Sequence, residues 1–128
     1  MHHRSFRYAL ALLAAMAVSA AWAQSPGERA TRVLDQLEAG EYEAIAETFD
    51  PQMRAAIDAD RLRQAWTSLP QQVGALQSRG APVEARQGPY DVVVVPLQYE
   101  RAAVDAVISF DAESRLAGLL LQPAAAGE

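Results

Sequence analysis

The hydrophobic period of this chain changes near Gly80, from the spacing of helices to the spacing of strands. Before Gly80, apolar residues recur at intervals of three and four, so that they share one face of a helix. From Ala81 onward they recur at every second position, as in a strand that buries one of its faces. Helices collected in one half of a chain and strands in the other predict the α+β class.

Helical segments are predicted to begin at Ser25, Glu41, Asp50 and Asp60. Ser25 and Glu28 have the spacing of a capping box, and Gly40 is typical of a helix C-terminus. Pro70 and Gly74 are expected to loosen the chain after the last helix. The apolar faces comprise Ala30, Val33, Leu34 and Leu37; Tyr42, Ile45, Ala46 and Phe49; Met53, Ala56 and Ile57; and Leu62, Ala65, Trp66 and Leu69.

Four strands are predicted over residues 82–87, 90–99, 102–110 and 115–121, and the short turns between them make the sheet antiparallel. The second strand has apolar side chains on both faces, with Val93, Val95, Leu97 and Tyr99 on one and Val92 and Val94 on the other. In the last strand, Leu116 and Leu120 are predicted on one face, and Ala117, Leu119 and Leu121 on the other. Because helices cover one face of such a sheet, we expect the other to be covered by a second copy, by a partner protein, or by residues 71–80. A second copy would give a two-fold homodimer through the sheet face.

The N-terminus has the three regions of a secretory signal peptide. Arg4 and Arg7 precede an apolar run at residues 9–20, and Ala21-Trp22-Ala23 reads as a cleavage site. The run is shorter than the roughly 20 residues that span a bilayer, so no membrane anchor is expected after cleavage. The resulting prediction is a signal peptide at 1–23, a domain at 24–122 and a flexible tail at 123–128, in a periplasmic or secreted protein.

We expect the exported protein to begin at Gln24, because small residues precede it in the cleavage site. N-terminal sequencing of the exported protein tests this. A mature chain that retains Trp22, or that stays in the cytoplasm, would contradict the prediction.

Composition excludes several kinds of site. The only histidines, His2 and His3, lie in the predicted signal peptide, and the chain has no cysteine or lysine. The mature domain therefore cannot form a Ser-His-Asp triad, a cysteine nucleophile, a lysine Schiff base or a His/Cys zinc site, and we expect no metal or cofactor. Loss of Arg4 and Arg7 leaves nine arginines against 16 acidic residues, a net charge of −7. Such a domain is repelled by phosphate backbones, so nucleic-acid binding is not expected.

The order and spacing of certain residues resemble the bacterial domain of unknown function 3887. The resemblance covers about residues 28–123 and rests on Leu37, Gly40-Glu41-Tyr42, Phe49-Asp50, Met53, Leu62, Trp66, Gly74, Tyr90-Asp91-Val92-Val93, Tyr99, Phe110-Asp111 and Leu116-Ala117-Gly118-Leu119. It implies membership of the NTF2-like superfamily, with a cystatin-like cone in which N-terminal helices pack on a curved four-stranded antiparallel sheet. In many relatives an α/β-hydrolase domain follows, but its catalytic residues are absent from this chain, so the resemblance implies fold and location only.

Two functions are compatible with these residues. In the first, the domain is a non-catalytic module that binds a small apolar ligand, a partner protein or itself, and Tyr42, Phe49, Trp66 and Tyr99 line the pocket of the cone. The same aromatic residues could instead fill the core. In the second, the domain is an isomerase-like or hydratase-like enzyme that uses a tyrosine with Asp91, Asp105 or Asp111. A carboxylate buried beside Tyr42 or Tyr99 would favour the enzyme, whereas a cone plugged by aromatic and leucine side chains would favour the module.

Overall fold

The computed structural model describes residues 24–124, and the predicted signal peptide and residues 125–128 lie outside this range. Helices are followed by strands, which confirms the α+β class. The elements are α1 (Pro26–Ala39), α2 (Tyr42–Ala46), α3 (Pro51–Ala56), α4 (Ala59–Val73), β1 (Leu76–Arg79), β2 (Val83–Gln87), β3 (Tyr90–Tyr99), β4 (Ala103–Phe110) and β5 (Leu116–Pro123). In residues 24–124, no helix combines the length and the apolar character needed to cross a bilayer.

The sheet is antiparallel and contains five strands, not the four that were predicted. Its order is β1-β3-β4-β5, and β2 pairs with β3 beside β1. β1 and β2 thus lie end to end along one edge of β3. The gap between them lies opposite Pro96, whose carbonyl accepts from the N–H of Gly80 at 2.7 Å. Proline has no N–H to pair with a neighbouring strand, so the edge strand is divided there and the segment at 76–79 is a separate strand.

Two predicted helix boundaries are wrong. Asp58, not Asp60, caps α4, because its carboxylate accepts from the N–H of Arg61, three residues on. The same helix continues through Pro70 to Val73, and its last turn is closed by the N–H of Gly74 donating to the Pro70 carbonyl at 3.0 Å. Phe49 lies after α2 and forms a parallel bridge with Leu116.

The core lies between the helices and one face of the sheet, here called the inner face. β3 contributes Val93, Val95, Leu97 and Tyr99, β4 contributes Val104, Ala106, Ile108 and Phe110, and the helices contribute Ala30, Val33, Leu34, Leu37, Ile45, Met53, Leu62 and Trp66. α1 is fixed at its start by a complete capping box of Ser25 and Glu28. The carboxylate of Glu84 on β2 also accepts from the N–H of Gly27 at 2.8 Å, which joins this helix to the sheet.

β5 contains a bulge that changes which of its residues face the helices. Phe110 is paired with Leu116, but the neighbouring Ser109 is paired with Gly118, so β5 has one extra residue, Ala117. Leu116 therefore lies on the inner face together with Leu119 and Leu121, whereas a regular strand would have placed it opposite them. Leu120 points to the outer face of the sheet and is 54% exposed.

Candidate functional site

A groove of about 420 Å³ separates α4 from β5. It exists because α4 packs mainly on α2, while β5 is approached at its start by the short α3. We call this space the α4–β5 groove; it is lined by Leu37, Ile57, Leu62, Ala65, Trp66, Ser68, Leu69, Gln72, Leu119, Leu120 and Leu121.

The groove runs along the edge of β5. Leu119, Leu120 and Leu121 all line it, although consecutive side chains of a strand point to opposite faces. A space that all three of these residues line must lie beside the strand, at the edge where the backbone of the strand is accessible. The groove therefore has one apolar helical wall and one wall formed by a strand edge.

The lining of the groove is almost entirely apolar. Among the described residues that line it, none has an ionisable side chain. Its two polar side chains are Ser68 and Gln72, and the hydroxyl of Ser68 donates to the Ala65 carbonyl at 2.9 Å. General acid–base chemistry requires a group that exchanges a proton near the working pH, and these lining residues do not provide one.

The four predicted pocket residues do not line one cavity, although all four belong to the core or pack against it. Trp66 lines the α4–β5 groove, and Phe49 is buried beside a different, open depression between α2 and α3. Tyr42 borders a shallow surface concavity with Asp60 and packs against the core. Tyr99 is buried in the core. Of the four, Trp66 alone contributes to the α4–β5 groove.

Tyr99 is held in its protonated form. Burial of its side chain raises the pKa of the hydroxyl above the ordinary value, and the negative charge of Glu38 raises this pKa further. A tyrosine that retains its proton in this way does not serve as a base at neutral pH.

Each of the three carboxylates considered for catalysis has its own surroundings. Asp91 is paired with Arg29 at 3.7 Å and with Arg86 at 3.4 Å, and Asp105 lies half-buried on the strand face opposite Ala106. Asp111 is bound within the β4–β5 turn, where its oxygens accept from the backbone and side chain of Arg115. Desolvation raises the pKa of Asp111, but the hydrogen bonds from Arg115 and from the N–H of Glu113, together with the positive charge of Arg115, lower this pKa below its ordinary value.

Asp50 is the buried charged residue of the described chain, and its role is structural. Its carboxylate caps α3 by accepting from the N–H of Met53 at 2.8 Å. Its own N–H donates to the carbonyl of Leu116 at 2.9 Å. The Asp-Pro sequence predicts the cap, but the contact with β5 depends on tertiary structure. Across residues 24–124, no cluster of acidic residues forms a metal site.

The sequence profile of the family described as "Protein of unknown function (DUF3887)" matches residues 30–119. The chain belongs to the DUF3887 family. Neither the curated proteins nor the solved structures include a significant match to it. The part of the chain shared with DUF3887 contains the whole of α4 and the start of β5 as far as Leu119. The helical wall of the α4–β5 groove thus lies within the matched residues, and the strand wall lies within them as far as Leu119.

Proposed function

We propose that the protein is an exported, non-catalytic module that binds an uncharged apolar ligand or partner segment in the α4–β5 groove. The observation that carries this proposal is the lining of the groove, which is apolar and free of ionisable side chains in the described chain. Ligand sites in proteins are typically concave and apolar, with a small number of polar groups for orientation. Ser68 and Gln72 are suited to that orienting role.

The assignment to the NTF2-like superfamily is part of the same proposal. Support comes from helices that pack on the inner face of an antiparallel sheet and leave a cleft between the last helix and an edge strand. A cone that opens between its last helix and its edge strand would have this arrangement. The proposal of export rests on the signal peptide predicted from the sequence of residues 1–23.

Binding of the uncharged dye Nile red tests the function of the groove. We expect its fluorescence to rise with the wild-type protein, and Leu69→Arg to weaken binding by about tenfold or more because a charge then enters an apolar site. Thr67→Arg is the matched control, since Thr67 is exposed on the same helix as Leu69 and does not line the groove. Equal loss of binding in both variants, or no binding by the wild type, would refute the proposal.

Self-association is the second candidate function, and the outer face of the sheet favours it. Val83 pairs with Val94, Val94 with Val107, and Val107 with Leu120, so four aliphatic side chains form one row across four strands. We call these residues the outer row. Val83 and Leu120, at its two ends, are exposed. A continuous exposed apolar surface is typical of an interface, and a second copy of the same row would cover it in a two-fold dimer.

We expect sedimentation equilibrium at micromolar concentration to give the mass of a dimer, and Val94→Glu or Leu120→Glu to give that of a monomer. The glutamate would bring unpaired charge into the interface. Ala85→Glu, at a neighbouring position of β2 outside the row, is expected to weaken the dimer less. A wild-type mass of one chain would contradict self-association. Leu119→Glu is unsuitable for this purpose because Leu119 lies on the inner face.

A further inference from the structure

The outer edge of β5 has unpaired backbone groups. The N–H of Ala124 donates to the carbonyl of Ala103 at 3.0 Å, which makes this pair a hydrogen-bonded one. In an antiparallel ladder, hydrogen-bonded pairs alternate with pairs that are not hydrogen-bonded to each other. The register therefore makes 105↔122, 107↔120 and 109↔118 the other hydrogen-bonded pairs of β4 and β5. The N–H and C=O groups of Leu119 and Leu121 therefore point away from β4, toward the open edge.

The start of this edge already accepts an extended segment of the chain. The N–H of Leu116 donates to the Thr48 carbonyl at 2.8 Å, and the Leu116 carbonyl accepts from the N–H of Asp50 at 2.9 Å. The segment then turns away at Pro51, where α3 begins. Within residues 24–124, no strand pairs with the edge beyond this point. Residues 48–50 thus pair with β5 at Leu116, but this pairing does not extend to Leu119 and Leu121.

The two edges of the sheet differ in their protection. The β1–β2 edge is short, divided and charged: Arg79 pairs with Asp35 and Glu38, and Glu84 is held by α1. β5 has no charged residue between Leu116 and Pro123. Sheet edges that must stay unpaired are typically protected by charge, proline or brevity. Between the paired Leu116 and the terminal Pro123, the uncharged edge at Leu119 and Leu121 borders an apolar groove and is suited to receive another strand.

We propose that the α4–β5 groove receives an extended peptide segment, which hydrogen-bonds to the backbone of Leu119 and Leu121 and turns uncharged apolar side chains toward Trp66. This inference rests on the proposed function and names the class of ligand. The strand edge supplies the hydrogen bonds and the helical wall supplies apolar contact, as in other cases of strand addition. The chain has a net charge of −5, yet none of the described residues that line the groove is charged. A charged segment would lose hydration there without gaining an ion pair, so the complementary segment is uncharged.

The test uses an end-blocked heptapeptide in which valine alternates with serine and threonine. Its matched control is the same peptide with alternate backbone nitrogens methylated, which removes strand hydrogen bonds but keeps the side chains. Binding to the protein is followed by amide NMR and hydrogen exchange. We expect the amides of Leu119 and Leu121 to become protected on binding, while that of Leu120, which faces β4, changes little. The methylated peptide is expected to bind about tenfold more weakly or worse.

Equal binding of the two peptides would overturn strand addition while leaving an apolar groove that still binds Nile red. Failure of the parent peptide to bind, with Nile red still bound, would also overturn it. Protection of Leu119 and Leu121 without peptide, in a protein with the mass of a dimer, would assign the edge to a second copy and overturn the peptide proposal. Loss of Nile red binding as well would refute the proposed function itself.

Discussion

Replacement of Trp66 by alanine is expected to lower the free energy of unfolding by about 3–5 kcal/mol, the usual range for a buried tryptophan. Trp66 is 9% exposed, and it is one of the two residues that α4 buries, the other being Leu62. Its indole fills the space between α4 and the core, so alanine would leave a cavity that continues into the α4–β5 groove. Urea unfolding followed by circular dichroism measures the change.

Thr67→Ala is the matched control for Trp66→Ala, because Thr67 is exposed on the same helix. Its effect is expected to stay within about 0.5 kcal/mol. A loss of less than about 1 kcal/mol for Trp66→Ala would mean that the indole lies against an open pocket and not in the core.

Phe110→Ala is expected to have a comparable effect, a loss of about 3–5 kcal/mol. Phe110 ends β4 on the inner face and is 3% exposed. The guanidinium of Arg29 lies over its ring, 4.9 Å from the ring centroid, and also approaches Asp91. Removal of the ring thus leaves a cavity and deprives the arginine of its aromatic partner. Thermal and urea unfolding of the variant test the prediction.

Phe110→Leu separates the two contributions, since it keeps much of the apolar volume but removes the aromatic face. We expect it to lose less than Phe110→Ala. A double-mutant cycle with Arg29→Met should give a coupling energy of about 0.5–2 kcal/mol. A coupling energy near zero would show that the arginine stabilises the domain through its other contacts alone.

A strand could be predicted from the sequence where burial of one face produces an alternation of apolar residues. β3 was predicted over 90–99, as observed, and its inner face follows from alternation alone. β1 was missed because Leu76–Arg79 is mostly polar and exposed, and forms a strand through its pairing with Leu97–Tyr99. Its strand character is thus supplied by the partner strand and not by its own side chains.

The candidate site was less predictable than the fold. The position of Trp66 on an apolar helix face follows from sequence spacing, but its place in a groove depends on the distance between α4 and β5. The bulge at Ala117 leaves no clear signal in the sequence, yet it decides that Leu119 and Leu121 face the helices together with Leu116. Similarly, Asp58 and Asp60 are both acceptable caps by residue type, and the structure has Asp58 as the cap with Asp60 inside the first turn.

The hydrogen bond between Gly27 and Glu84 bears on how the domain folds and unfolds. It joins the first turn of α1 to a strand 57 residues later in the chain, so the helix start is completed only when β2 has formed. α1 likewise packs against β3, and α3 against β5, strands that follow these helices in sequence. In residues 24–124 the helices and the strands share one core cluster, although the sequence divides cleanly between the two halves. Loss of the sheet therefore removes the support of the helices, and the domain is expected to unfold in one cooperative transition.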